Sequence, residues 1–350
     1  MDIKGLYKGL LSSIIGTTLV LSLFFLAYSL VFNQVTANRA KVKAVFEKSS
    51  TYEKLPGVIY DNLEKDNQQE TKVPLEDPEV RRIALSVFNE DFTRDKIENA
   101  LDGAYDWLEG SSNQLMVTID LKQARGQFAS KLAEYAKARA KKLPTCNLQQ
   151  LRQASGSDVF NATCLPPNAN LDLIQSQLEK NIAGSEEFLD NPSFNSSDIK
   201  NYNNQISNQD IAQFPDTFKT VKAIPLALIL FAFGIAYLLI RLGKDKYAAY
   251  KRLSRLLGIS GVFIFLAPIG ILIFAKTAFS RSQADQQINE IALSLIEQFM
   301  IEAAKIYYSL GLLLIAAAIG LYIYARKKFK AKDPKNHPKK IPKKPTQKPS

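Results

Sequence analysis

Few residues in this chain have side chains suited to catalysis. There are two cysteines and one histidine in 350 residues. The histidine, His337, lies in a stretch that alternates Lys and Pro. Such a stretch buries too little apolar surface to fold. Imidazole acid–base chemistry and histidine metal sites are therefore not expected. Cys146 and Cys164 stand 18 positions apart. Two thiols without further ligands make a poor zinc site, so they form either a disulfide or two free thiols. The carboxylate pairs are Asp102 with Asp106 and Glu186 with Glu187. A carboxylate pair can divide acid and base work, but on an exposed helix face it is ordinarily just solvated charge. The chain has no phosphate-binding glycine loop, nucleophile elbow or His-containing metal motif. The expectation is a protein with no catalytic residue, no metal and no cofactor.

The elements around these residues are dominated by four apolar runs. Residues 9–32, 223–240, 257–279 and 306–325 are each long enough to cross a bilayer core of about 30 Å, which takes roughly 20 helical residues. Lys276 is their one charged residue, near the end of the third run, where its stem can snorkel to the interface. No acid or base sits mid-span, which argues against ion-coupled transport. The first run has 24 residues, longer than a cleaved signal's apolar core of about 7–15, so residues 1–33 read as an uncleaved signal-anchor. Ser12, Ser13 and Gly16 form a small-residue patch that suits a neighbouring helix or simply reflects membrane-span composition.

The net charge of +11 is unevenly placed. Residues 34–222 carry 23 Lys/Arg against 27 Asp/Glu. Residues 241–256 carry six against one, and the tail from Arg326 carries 11 against one. The loop cations include Lys244, Lys246, Lys251, Arg252 and Arg255. Positive charge marks the cytoplasmic face. The N-terminus, this loop and the tail then lie in the cytoplasm, and residues 34–222 lie outside. The outer compartment is oxidising, which favours a disulfide between Cys146 and Cys164 over free thiols. A loop of that length would stabilise the fold by about 3 kcal/mol on a chain-entropy argument. The tail, residues 330–350, is expected to be disordered and to meet anionic lipid headgroups, or to serve only topology and solubility. Its charge comes without aromatic residues or a recognition motif, so no nucleic acid is expected.

The exterior segment reads as mostly helical. Residues 39–48 continue the first span as a stalk, and Pro56-Gly57 break it. Asp77-Pro78-Glu79 starts a helix, with Asp as cap and Pro at the first helical position. Thr93 caps the next, in which Ile97, Leu101, Ala104 and Leu108 share one face and which Gly110 ends. Residues 115–121 alternate like a strand. Residues 122–142 return to helix, with Phe128, Leu132, Tyr135 and Ala136 on one side. Residues 171–182 form another helix, and 191–208 read as surface loop. Pro268 and Gly270 should kink the third span. Residues 286–305 extend the fourth span as one long helix, with Ile288, Ile291, Leu295, Ile296, Phe299 and Met300 at helical spacing. Asn161-Ala162-Thr163 and Asn195-Ser196-Ser197 match the glycosylation triplet, which arises readily by chance.

At Tyr105-Asp106-Trp107-Leu108-Glu109-Gly110, Ile119-Asp120-Leu121, Leu143-Pro144-Thr145-Cys146 and Cys164-Leu165-Pro166-Pro167 the chain resembles a group of uncharacterised bacterial four-span membrane proteins. The likeness covers about residues 93–167 and the span layout. It implies a bacterial envelope location, a Cys146–Cys164 disulfide, and Trp107 as a core anchor. The layout alone is also similar to permease subunits of mechanotransmission-type ABC systems, with no stretch of sequence in support. The combined expectation is a mainly α integral membrane protein with a disulfide-stapled exterior domain at 34–222, a three-helix membrane region at 223–329 and the tail. Its expected role is non-enzymatic, binding an unknown protein partner or supporting the envelope. The alternative is a permease working with a separate cytoplasmic ATPase.

Overall fold

The computed structural model describes residues 3–66, 73–153, 159–184, 193–195, 208–243, 245–280 and 286–329. The tail with His337, Lys244, the Glu186–Glu187 pair and Ser196–Ser197 of one glycosylation triplet lie outside the described residues. Helix α1 covers Ile3–Val31 and passes into a π-helical turn at Phe32–Thr36. Helices α2 (Arg39–Lys48), α3 (Thr51–Asp66), α4 (Pro78–Val87) and α5 (Glu90–Leu108) follow. Strand β1 (Met116–Thr118) precedes α6 (Lys122–Ala140), α7 (Leu148–Gln153) and α8 (Leu171–Gly184). After β2 (Ser193–Asn195) come three long helices, α9 (Asn208–Leu242), α10 (Lys246–Ser280) and α11 (Gln286–Lys328). Four helices are long and apolar enough to cross a membrane, with candidate spans Leu11–Thr36, Ala212–Leu242, Lys246–Phe279 and Gln286–Lys328. The protein is a mainly α membrane protein.

The chain forms two compact units. The membrane unit is built from the described parts of Met1–Phe32, Ala223–Ile271 and Ala303–Ser350; the polar unit is built from those of Asn33–Lys222 and Leu272–Glu302. In the membrane unit, Gly261 of α10 and Gly311 of α11 meet backbone to backbone. A methyl on Gly261 would lie 2.9 Å from the Gly311 carbonyl oxygen, and one on Gly311 would lie 2.8 Å from that of Gly261. One turn or two along the same crossing, Ser254 Oγ donates to the Ala318 carbonyl at 2.7 Å, and a methyl on Gly258 would rest 3.6 Å from Ala318 Cβ. Lipid tails are as apolar as leucine, so helices in a bilayer associate by such close approach rather than by exclusion from water. The Ser12–Gly16 patch also seats a helix: a methyl on Gly16 would lie 3.2 Å from Leu256 Cδ1, and Arg252 donates to Ser12 Oγ. Phe25, Phe233 and Phe263 remain exposed, as side chains facing lipid do. Pro268 lies inside α10, which runs through it as one helix.

The core of the polar unit sits where α4, α6 and α8 pack. Val80, Ile83, Ala84 and Val87 of α4 meet Phe128, Leu132 and Ala136 of α6, with Phe160 and Ile182 of α8 closing the cluster. The Asp77 cap is present: its carboxylate accepts from the Glu79 amide at 2.8 Å and from the Tyr135 hydroxyl at 2.6 Å, tying α4 to α6. Cys146 and Cys164 are joined as a buried disulfide. Backbone bonds flank it, from the Cys146 amide to the Leu165 carbonyl (2.9 Å) and from the Leu165 amide to the Pro144 carbonyl (2.8 Å). Gly110 adopts φ +78° after α5, as its terminator role requires.

Four expectations need correction. Helix α5 begins at Glu90, capped by Asn89, which accepts from the Phe92 amide at 3.0 Å; Thr93 lies buried inside the helix. Asn89 lies four residues ahead of Thr93, and acidic Glu90 and Asp91 then complement the first turn. The chain turns at Ser49-Ser50, not at Pro56-Gly57, which lie within α3. Ser50 takes φ 55°, and Ser49 Oγ bonds the Phe46 carbonyl and the Thr51 hydroxyl. Pro56 costs α3 one hydrogen bond, which burial of Tyr52, Val58 and Tyr60 offsets. Helix α2 is not a direct continuation of α1, since the π-turn and the Asn38 cap intervene. Residues 193–195, expected as loop, form β2 and pair antiparallel with β1, Val117 opposite Phe194. A three-residue strand is too short to show alternation.

Replacing Gly261 by Leu should lower the thermal midpoint of the detergent-solubilised protein, a cost of about 1–3 kcal/mol from overpacking. Gly270→Ala, where a methyl meets nothing within 4 Å, should change stability by no more than about 0.5 kcal/mol. Equal effects from the two would remove the Gly261–Gly311 contact from its structural role.

Candidate functional site

Among the described residues, a dense arrangement of charged groups lies in the polar unit, around α2. This helix has ten residues and carries Arg39, Lys41, Lys43 and Lys48, with Val45 its buried apolar side chain. Arg39 and Lys43, one turn apart, face an acidic row on α5. Arg39 lies 2.6 Å from Asp106, 3.5 Å from Asp102 and 3.6 Å from Glu109. Lys43 lies 2.8 Å from Asp102 and 3.3 Å from Glu98. Glu98, Asp102, Asp106 and Glu109 recur at helical spacing, so one face of α5 is acidic along its C-terminal half. The hydrogen bond to Asp106 raises the Arg39 pKa above its ordinary value, against the opposing effect of burial. The bond to Asp102 does the same for Lys43. Both cations therefore keep their charge across the physiological range.

The neighbouring residues close the same end of the polar unit. The Tyr105 hydroxyl donates to the Thr36 carbonyl, and its ring lies beneath the Arg39 guanidinium at 5.8 Å. Burial pushes its pKa up. Trp107 packs with Leu115, Ala104, Leu108 and Val117 and lies 6.1 Å from the Phe214 ring. Lys222 pairs with Glu109 at 2.9 Å, and its carbonyl accepts from Asn33 Nδ2 at 2.6 Å. The segment leaving α1 and the segment entering α9 are thus joined through α5.

The opposite side of α2 meets α11. Glu302 is 6% exposed and receives Lys41 at 3.2 Å and Lys48 at 3.1 Å. The two lysines lie seven residues apart, two helical turns, and so point the same way. Farther along α11, Ser294 Oγ donates to the Ser49 carbonyl at 2.9 Å, and Gln287 donates to Asp61 at 3.1 Å. Ile291 and Met300 of the expected apolar stripe are buried. Lys276, expected to snorkel, pairs with Glu297 at 2.7 Å. Asp61 also pairs with Arg81, and that bond holds its carboxyl below the usual carboxylate range.

The structure therefore gives the Asp102–Asp106 pair a role in charge neutralisation. Each carboxylate of the row lies beside a cation, while Asp102 Oδ1 is buried without a hydrogen-bond partner. Cys146 and Cys164 lie apart from this seam, in the disulfide beside α6. Lys246, Lys251, Arg252 and Arg255 belong to the membrane unit, on the first turns of α10. Among the described residues, no group of three or more His, Cys, Asp or Glu side chains is placed to hold a metal. Sequence reasoning missed Arg39, Lys43 and Glu302. The spacing of Arg39 with Lys43 against Glu98, Asp102 and Asp106 was a usable signal; nothing in the sequence singled out Glu302. No protein-family model, curated protein or solved structure matches the chain.

Glu302→Ala should destabilise the protein by about 2 kcal/mol, below the usual cost of breaking a buried pair because both lysines are half-exposed. Lys41→Ala alone should cost under about 1 kcal/mol, since Lys48 still holds the carboxylate. Thermal unfolding in detergent reads both, and equal losses would contradict the shared-acceptor arrangement. Asp61 supplies a pH test. Its folded pKa is lowered, so its stabilisation is complete above the unfolded value of about 4 and is lost as pH falls through the folded value. The fall in thermal midpoint below pH 5 should be shallower in Asp61→Asn than in the parent.

Proposed function

We propose that this chain is a non-enzymatic integral membrane protein of the bacterial cell envelope, whose polar unit lies outside the cytoplasmic membrane and binds a protein partner or supports envelope structure. One observation carries the reading: every carboxylate of the α5 row lies within 3.6 Å of a cation of α2. Pairing of this kind ties helices together, which supports a structural role for these acids. The buried disulfide supports an exterior position, because disulfides persist in oxidising compartments. The cations of residues 241–256 support a cytoplasmic position for that loop and for both termini. The bacterial assignment rests on the resemblance at residues 93–167. The boundaries proposed are a signal-anchor at 1–33, an exterior domain at 34–222 joined by the α11 segment 286–305, a three-helix membrane region to 329 and a free basic tail.

A second reading draws on the span layout. One span, a polar segment and three further spans suit a permease or mechanical transmitter driven by a separate cytoplasmic ATPase, with the exposed cations Lys246, Lys251, Arg252 and Arg255 as its contact.

Two measurements test the first reading. A membrane-impermeant maleimide should label Asn113→Cys in intact cells and should label Ala248→Cys only after the membrane is opened; the reverse pattern would invert the topology. The purified full-length protein should show no turnover in a panel of ester, peptide, glycoside and phosphate substrates. Turnover that is lost in Asp102→Asn or Asp106→Asn would overturn the non-enzymatic assignment.

A further inference from the structure

One end of the membrane unit carries a group of cations without matching acids. Arg241 closes α9. Lys246, Lys251, Arg252 and Arg255 occupy the first turns of α10, and Arg326, Lys327 and Lys328 occupy the last turn of α11. All are exposed. Among the described residues none of them is in an ion pair, and Asp245 is the one acid within residues 241–256. Unpaired cations are ordinary on a soluble surface. Here those of α10 and α11 share one end of the unit, because the start of α10 is tied to the end of α11.

The tie is aromatic. The Tyr250 ring of α10 stacks on Phe329 at 5.5 Å and meets Tyr324 of α11 edge-on at 5.7 Å. The Lys328 amine donates to the Tyr324 hydroxyl at 2.7 Å and lies 5.1 Å over its ring. Beneath these rings, the Ser254–Ala318 bond holds the two helices in register. Arg252, an exposed residue, reaches across to Ser12 of α1, which fixes one edge of its guanidinium.

Depth decides what such a face meets. Arg255 and Arg252 precede the apolar run from Leu257 by two and five residues. At the helical rise this puts them about 3 and 8 Å from the hydrocarbon boundary, within a headgroup layer roughly 5–8 Å thick. Arg326 to Lys328 follow the fourth run directly and fall in the same layer. Cations at that depth come within reach of headgroup phosphates. Arg252 and Arg255, three residues apart, are neighbours on one helix face, and a guanidinium binds phosphate oxygens in bidentate fashion.

We propose that this end of the membrane unit is a binding site for the phosphate of an anionic phospholipid headgroup, held by Arg252 and Arg255 and rimmed by Lys251 and by Arg326 to Lys328. The site is formed by α10 and α11 and is distinct from the basic tail.

Native mass spectrometry of the full-length protein, extracted in mild detergent and offered phosphatidylglycerol or phosphatidylcholine, tests it. Phosphatidylglycerol should be retained in preference. Its retention should fall about tenfold or more in Arg252→Gln/Arg255→Gln, the loss of two headgroup contacts, at an unchanged thermal midpoint. Arg252→Lys/Arg255→Lys should recover part of the binding. Replacing the tail lysines Lys339, Lys340, Lys343 and Lys344 by Gln should leave retention intact. If the double Gln variant is unstable, Lys251→Gln/Arg326→Gln reads the rim instead and should weaken retention without touching Ser12. Equal retention of phosphatidylcholine would overturn the proposal. So would undiminished binding in the Gln variants, or a stoichiometric soluble protein that occupies this face and is lost with Arg252 and Arg255.

Discussion

The polar unit depends on how α2 is held. Ten residues with four cations and one buried apolar side chain cannot be secured by exclusion from water. The helix is fixed by charge on two sides, to the α5 row through Arg39 and Lys43 and to Glu302 through Lys41 and Lys48. Exposed ion pairs contribute about 0–1 kcal/mol each, so no single contact of the α5 row dominates. A network in which Arg39 serves three acids and Asp102 serves two cations restricts geometry more than it adds stability. Glu302 differs, because it is buried and its carboxylate has an energetic need for both lysines.

Two kinds of association operate in one chain. In the polar unit, water drives Phe128, Leu132 and Val80 together, and the disulfide constrains the segment that supplies Phe160 to that core. In the membrane unit no such drive exists between helices. Gly261 and Gly311 substitute backbone proximity for it, and Ser254 adds a hydrogen bond that the bilayer would not otherwise supply. Adding a side chain therefore has opposite consequences in the two units: a methyl that fills space in one prevents contact in the other.

Charge is distributed along the same division. In the polar unit the acids of the α5 row and the cations of α2 face and pair with one another. Among the described residues, the cations at the end of the membrane unit form no ion pair and lie beside aromatic side chains. The two arrangements use the same residue types in different surroundings.

The four spans were legible in the sequence because backbone groups in lipid must bond within their own helix, which demands long apolar runs. The Asp77-Pro78-Glu79 start, the Gly110 stop and the Phe128–Ala136 face were legible for a related reason, since each is determined by neighbours within a turn or two. The Cys146–Cys164 bond followed from having two cysteines in one exterior segment. Long-range partners were not legible. Residues 193–195 become a strand only because β1 lies opposite them, and three residues carry no periodicity of their own. Asn89 displaced Thr93 as a cap, and Ser50 displaced Pro56 as a turn, where two adjacent local preferences competed and packing of the finished helix chose between them. Glu302 and Lys41 are separated by 261 residues. Nothing local marks either one, because their pairing exists only once α11 is folded against α2.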